Sequence, residues 1–357
     1  MVLEKFRVSN FRILREVSIS LIPTINAFQG ANGAGKTSIL EAIDFLSRGR
    51  SFRSNRAESL ITREQKELLV SAETLSKDQL AHRFGVKRSS SELVLHKDSE
   101  PSTLREFARY LPVQSFHPET YLLISGGPAE RRKYIDWGAF HVEPSFAEHW
   151  LKFKKSLAQR NLALRTGDWR SADAWVDALA EHGERITEYR AAYVKEILPY
   201  ARDQLGALGF DFPLTLQLKR GWPEDKTLKN CIEKNSDYDQ KKGSTQYGPQ
   251  RAELKIDIGP SLSANMGSRG QQKILAIALK LAQTRHLQMA NGLASIYLFD
   301  ELPAELDASR RRNLLQILAG LEAQIFISSV SKELVERELE QEVKWFHVEQ
   351  GEVDEMV

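Results

Sequence analysis

The sequence holds one cysteine, Cys231, among 357 residues. A single thiol excludes an internal disulfide framework and any zinc site built on several cysteines. There is no run of about 18 uncharged apolar residues, the length that a membrane-spanning helix needs. The stretch from Met1 to Arg12 is charged throughout and has no apolar core of a secretory signal, so a cytoplasmic address is the default expectation. An excess of one charge sign is also missing: 50 Lys and Arg against 48 Asp and Glu leave a net charge of +2. Nucleic acid is therefore permitted as a partner but not demanded. Internal repeats and low-complexity tracts are absent. With 41% hydrophobic and 27% charged residues, the composition excludes a mostly disordered chain. At this length about two structural units are expected.

What is present reads as α/β, then helical, then α/β again. Lys5–Val8 and Val17–Leu21 are short β-type runs broken by Asn10-Phe11-Arg12, and Thr24–Phe28 is a strand that runs into glycine. Lys36–Gly49 has Ile39, Leu40, Ile43 and Leu46 at helical spacing. Glu67–Leu75, His82–Lys87 and Glu92–His96 suggest an antiparallel meander. From Ser145 to Leu205 the apolar spacing becomes heptad-like. Phe146, Trp150, Phe153 and Leu157 form one seam, and Trp175, Leu179, His182, Ile186, Tyr189 and Tyr193 form a second. The pattern predicts an antiparallel hairpin turning at Gly167-Asp168, its aromatics forming the hairpin core. Pro199 is expected to end or kink the second helix. Arg220–Gly243 reads as loop. A strand at Leu254–Ile258, a helix at Gln271–Leu287, a strand at Ser295–Phe299, a helix at Ala308–Ala319 and a strand at Gln324–Ser328 follow. We divide the chain into residues 1–125, a helical arm at 126–240, and residues 241–357, with the arm interrupting one nucleotide-type domain.

Gly30-Ala31-Asn32-Gly33-Ala34-Gly35-Lys36-Thr37 fits G-x-x-x-x-G-K-S/T in full, between a predicted strand and a predicted helix that runs on through Ser38. The glycines let backbone N–H groups turn inward toward phosphate oxygens, and the helix N-terminus adds partial positive charge. Lys36 would reach the β- and γ-phosphates of ATP, and the Thr37 hydroxyl would ligate Mg²⁺. More than 250 residues later, the apolar strand Ser295–Phe299 ends in Asp300-Glu301. Asp300 would hold the Mg²⁺ hydration shell and Glu301 would act as general base on the attacking water. So wide a separation argues against a compact P-loop kinase.

Gly267-Ser268-Arg269-Gly270-Gln271 resembles the L-S-G-G-Q signature of ATP-binding-cassette proteins, and it stands before a long helix and ahead of the acidic pair. Ala304-Glu305-Leu306-Asp307 resembles that superfamily's D-loop. The resemblance implies a P-loop ATPase head with a mixed sheet, in which Gln114, after the apolar run Tyr110–Val113, would be the Q-loop residue that senses Mg²⁺. Its signature residues Ser268, Gly270 and Gln271, with Asp307, would complete the nucleotide site of a second subunit, giving an ATP-dependent homodimer. Ser328-Ser329 stand where transporter cassettes carry a histidine, leaving only hydroxyl donors for the γ-phosphate and implying slow hydrolysis.

A closer resemblance rests on Asn10-Phe11-Arg12, Leu40-Glu41-Ala42-Ile43, Gly49-Arg50-Ser51-Phe52-Arg53, Gly126-Gly127-Pro128, Arg131-Arg132-Lys133, Asp136-Trp137-Gly138, Gln159-Arg160-Asn161 and Tyr247-Gly248-Pro249-Gln250-Arg251. Together these segments are similar to the RecF family of bacterial DNA replication and repair proteins, whose heads are related to those of SMC and Rad50 proteins. The last segment departs from the family's G-P-H-R by carrying Gln250. The resemblance implies binding of double-stranded DNA at single-strand gap junctions and recombinase loading with RecO and RecR, with no membrane partner. Arg53, Arg56, Arg131, Arg132 and Lys133 are candidate DNA contacts, a non-specific electrostatic role. The competing readings are an ATP-binding-cassette transporter subunit, which would need membrane partners, and a small-molecule kinase, which would lack the signature.

Overall fold

The computed structural model describes residues 1–54, 56–76, 78–210, 212–259, 269–301, 308–330, 332 and 341–356. In chain order the elements are β1 (Val2–Phe11), β2 (Leu14–Ser20), β3 (Ile25–Gln29), α1 (Lys36–Arg48), β4 (Glu67–Leu75), β5 (Ala81–Ser89), β6 (Leu93–Lys97), β7 (Glu100–Pro101), α2 (Leu104–Tyr110) and β8 (Val113–Phe116). The helical stretch holds α3 (Leu122–Ser125), α4 (Pro128–Val142), α5 (Phe146–Thr166), α6 (Trp169–Ala174), α7 (Val176–Ala207), β9 (Thr215–Lys219), α8 (Leu228–Lys234), α9 (Ser236–Lys242), β10 (Glu253–Asp257) and α10 (Arg269–Asn291). β11 (Ile296–Phe299), α11 (Ala308–Ala319), β12 (Gln324–Ser329), β13 (Val343–Glu349) and β14 (Glu352–Glu355) follow. Two compact units result. One is residues 1–120 with 207–209 and 291–357; the other is residues 121–206 with 210–290. By contact, residues 241–290 therefore group with the helices, whereas the sequence-based division had set them with the C-terminal part of the head.

The first unit contains two six-stranded sheets, β2-β1-β4-β5-β6-β7 and β14-β13-β3-β12-β11-β8. The first is the expected meander extended by the β1–β2 hairpin, antiparallel throughout. Alternation drives it: Phe6 and Val8 are buried while Lys5 and Arg7 face water. In the second sheet β8, β11, β12, β3 and β13 run parallel. Its central strands β11 and β12 bury every residue, which is why Ile296–Phe299 and Ile325–Ile327 read as apolar runs rather than alternating ones. Helix α1 packs Ile39, Leu40, Ala42, Ile43, Phe45 and Leu46 into a core that takes side chains from both sheets. It stops at Gly49, whose φ of 60° is a left-handed cap.

In the second unit α5 and α7 bury Phe146, Phe153, Leu179, Ile186 and Tyr193, as the seams predict. Between them the chain forms a short helix, α6, capped by Asp168, whose carboxylate accepts from the Ser171 amide. Helix α7 does not end at Pro199 but continues to Ala207. Burial of Ile197 and Ala201, both 0% exposed, holds the turn that lacks the proline's hydrogen bond. Arg220–Gly243 is not loop alone, since it contains α8 and α9. Both are seven residues long, too short to show helical periodicity in sequence.

Candidate nucleotide site

The phosphate loop leaves the carboxyl end of β3 and enters α1. Its three glycines serve three different needs. Gly33 and Gly35 have φ of 83° and 121°, conformations that L side chains rarely adopt. Gly30 is constrained by space: a Cβ there would lie 2.2 Å from the Val348 carbonyl oxygen of β13. The turn before β14 also supports the loop, the Gly351 amide donating to the Ala34 carbonyl at 2.8 Å. Ala31 and Asn32 sit at the loop's outer edge, and Ser38 is buried in the first turn of α1. Lys36 is only 5% exposed. Its ammonium donates back to the carbonyls of Gly30 at 2.7 Å and Ala31 at 2.9 Å. Burial pushes the Lys36 pKa down, and the carboxylates of Glu301 and Asp300 oppose that shift. A recess of about 520 Å³ opens beside the loop, lined by Gln29, Gly30, Ala31, Asn32, Val330 and His347.

The acidic pair comes to the same edge. Parallel pairing places Phe299 beside Phe116 on one side and Ile327 on the other, so β8 and β11 end together while β12 runs two residues further. The Asp300 amide donates to the Phe116 carbonyl at 2.8 Å. The Thr37 hydroxyl donates to Asp300 Oδ1 at 2.8 Å, joining two motifs 263 residues apart. Ser328 Oγ donates to the same Oδ1 at 2.9 Å and accepts from the Glu301 amide at 2.7 Å. Glu301 itself is exposed and left-handed, with φ of 52°. Ser328 is thus turned toward the acidic pair. A hydroxyl and a carboxylate side by side are hard oxygen donors, the type that Mg²⁺ takes together with substrate phosphates.

One expected site residue, Gln114, is not at this edge. Gln114 is buried in β8 opposite Tyr297, three residues before Asp300 on the neighbouring strand, or about 10 Å at the usual rise per residue. That places it within the sheet rather than at its carboxyl edge. Gly270 and Gln271 lie in the first turn of α10, in the second unit. Ser268 and Asp307 lie outside the described residues. His347, which the sequence gave no reason to choose, reaches the recess because β13 pairs with β3, His347 opposite Gln29.

The basic candidates divide. Arg53 and Arg56 are exposed, Arg53 standing 4.0 Å from the fully buried carboxylate of Glu41. Glu41 receives a bidentate pair from Arg12 at 3.1 and 2.7 Å and a hydrogen bond from Ser51. Three of the resemblance segments therefore meet in one structural cluster. Arg131 is engaged within the fold. It binds Glu253 at 2.7 and 3.0 Å, and a third nitrogen donates to the carbonyls of Ile124 and Gly126. Arg132 donates to the Ala252 carbonyl at 2.8 Å. Both fasten α4 to the segment leading into β10, a structural use for two of the candidate DNA contacts. Lys133 remains exposed, paired with Glu130. The same unit uses Arg190 to hold Asp136 at 2.7 and 3.0 Å and the Pro249 carbonyl at 2.7 Å. Fully buried Arg160 binds Asp239 and Thr245, each at 2.7 Å.

Residues 2–354 match the family model described as RecF/RecN/SMC N terminal domain. The DNA replication and repair protein RecF of Pseudomonas fluorescens (strain Pf0-1) is 39% identical over 359 residues, covering 99% of this chain and 98% of that protein. That of Vibrio parahaemolyticus is 36% identical over 357 residues, covering 99% of each. Among solved structures, the recombination mediator protein RecF-ATP in the RecFOR pathway superimposes with a TM-score of 0.89 at 27% identity, covering 99% of this chain and 97% of that one. An SMC head bound to the C-winged helix domain of ScpA gives 0.61 at 16% identity, over 100% and 97%, a likeness of fold alone. The fold is that of an ATP-binding-cassette-type ATPase head, and this chain belongs to the RecF family of DNA replication and repair proteins.

Proposed function

We propose that the protein is an ATP-gated DNA-binding ATPase of recombinational repair. The Thr37–Asp300 hydrogen bond carries the ATPase part of this reading, because it assembles phosphate loop and acidic strand into one site. The loop amides and Lys36 would hold the phosphates, releasing the ammonium from the Gly30 and Ala31 carbonyls it now binds. Thr37 and Asp300 would hold Mg²⁺, which when bound supplies positive charge between the phosphates. Glu301, next along the chain and exposed at the strand edge, would accept the proton of the attacking water. Gln114 has no part in this mechanism. Ser268, Gly270, Gln271 and Asp307 are assigned to the nucleotide site of a second copy, giving an ATP-dependent homodimer. With family membership, this supports binding of double-stranded DNA at gap junctions, RecO and RecR as partners, and slow, DNA-stimulated turnover. Among the described residues no helix is long and apolar enough to cross a membrane.

Gel filtration with and without ATP, followed by hydrolysis with and without gapped duplex DNA, tests the reading. A nucleotide-dependent shift from monomer to dimer and faster turnover on DNA are expected. A chain that stays monomeric in ATP and hydrolyses at a DNA-independent rate refutes it.

A further inference from the structure

We propose that Ser328 is a positioning residue for hydrolysis, a single hydroxyl that fixes both the carboxylate of Asp300 and the backbone of Glu301. The inference rests on the ATPase reading above. Ser328 is fully buried on β12, one step beyond the Ile327–Phe299 pair, which sets it beside Asp300. A serine hydroxyl has one proton to donate, and here it goes to Asp300 Oδ1 at 2.9 Å. The oxygen also accepts from the Glu301 amide at 2.7 Å.

Two consequences follow from this geometry. Thr37 and Ser328 both donate to Oδ1, so the Asp300 carboxylate cannot rotate without breaking two hydrogen bonds. Glu301 sits at a φ of 52°, a region that L residues other than Asn and Asp seldom occupy, and its amide is anchored by Ser328 in that conformation. The direction in which the Glu301 carboxylate leaves the strand is set by that backbone. A side chain without a hydroxyl at 328 would strand the Glu301 N–H and remove one of the two bonds on Oδ1. It would leave Lys36 and the loop's glycines untouched.

The test compares Ser328→Ala, Ser328→Thr and Glu301→Gln with the parent. Single-turnover hydrolysis gives the chemical rate, and equilibrium titration with a fluorescent ATP analogue, with and without Mg²⁺, gives nucleotide affinity. Of the two hydrogen bonds lost in Ser328→Ala, the stranded Glu301 N–H by itself predicts a rate about 5- to 150-fold lower. Affinity without Mg²⁺ is expected to stay within about twofold of the parent, and Ser328→Thr to regain most of the rate because it keeps the hydroxyl. Parent-like hydrolysis in Ser328→Ala beside an inactive Glu301→Gln overturns the positioning role and leaves the ATPase reading standing. Loss of rate together with loss of Mg²⁺-free affinity and melting temperature also overturns it, since that is damage to the fold. A parent that neither binds nor hydrolyses ATP removes the ATPase reading itself, and the inference with it.

Discussion

Arg131 separates what a basic motif suggests from what its surroundings make of it. Its guanidinium has 16% of the side chain exposed, and its partner Glu253 has 25%. Two charge-assisted bonds go to that carboxylate and two more to carbonyls at the start of the unit. Hydrogen bonds to charged groups contribute about 1.5–3 kcal/mol each when buried, and partial exposure screens these. Arg131→Ala should therefore cost about 2 kcal/mol, much of it from Glu253 left without its cation. For a chain of 357 residues, at about 2.1 cal/mol/K of unfolding entropy per residue, that lowers the melting temperature by about 3 °C. Arg131→Met combined with Glu253→Gln should lose less, because no charge is stranded. Calorimetry measures both. DNA affinity, followed by fluorescence anisotropy across a salt series, supplies the contrast. Arg131→Ala should leave the slope of log K against log salt unchanged, whereas removing an arginine that contacts phosphate reduces its magnitude by about 0.9. If Arg131→Ala melts like the parent and flattens the salt slope, Arg131 contacts DNA and the structural reasoning is wrong.

Glu301→Gln should lower hydrolysis by about 10²–10⁴ while ATP still binds, so the dimer should persist; turnover and light scattering after ATP addition check the two halves. Gly30→Ala should abolish nucleotide binding, because its Cβ would fall 2.2 Å from the Val348 carbonyl and force loop and β13 apart. Isothermal titration that found parent affinity would disprove that packing. Stability should also fall with acid through His286. This ring is buried, its Nε2 lies 3.3 Å from Glu196, and its Nδ1 has no hydrogen-bond partner among the described residues. Burial pulls its pKa below 6.5, against the pull of Glu196, so as pH drops the unfolded chain takes up a proton before the folded one does. The melting temperature should decline as pH falls from about 7 through the folded-state pKa, and His286→Gln should flatten that decline. Equal pH slopes in parent and variant would show that His286 contributes nothing.

Sequence alone determined the elements whose signal is local. The phosphate loop was legible because its glycines and lysine act within eight consecutive positions, Gly30 to Thr37. The meander, the helix Ala308–Ala319 and the strands β11 and β12 were legible because side-chain periodicity records which faces are buried. The acidic pair could be read because an apolar strand ends in Asp300-Glu301 in a chain that also carries a full phosphate loop. Tertiary structure alone decided which strands became neighbours, and with that the fate of each polar group. Pairing of β13 with β3 brought His347 to the loop, and pairing of β8 with β11 held Gln114 inside the sheet. A run such as Arg131-Arg132-Lys133 looks uniform in sequence. In the fold, Arg131 meets a carboxylate 122 residues away, Arg132 meets a carbonyl 120 residues away, and Lys133 meets water and a neighbour on its own helix. Ser328 likewise gained its role only when Asp300 and Glu301 came within reach across the sheet. A charge or a hydroxyl acts on whatever lies within about 3 Å of it, and for a residue in a folded chain that neighbour is usually distant in sequence.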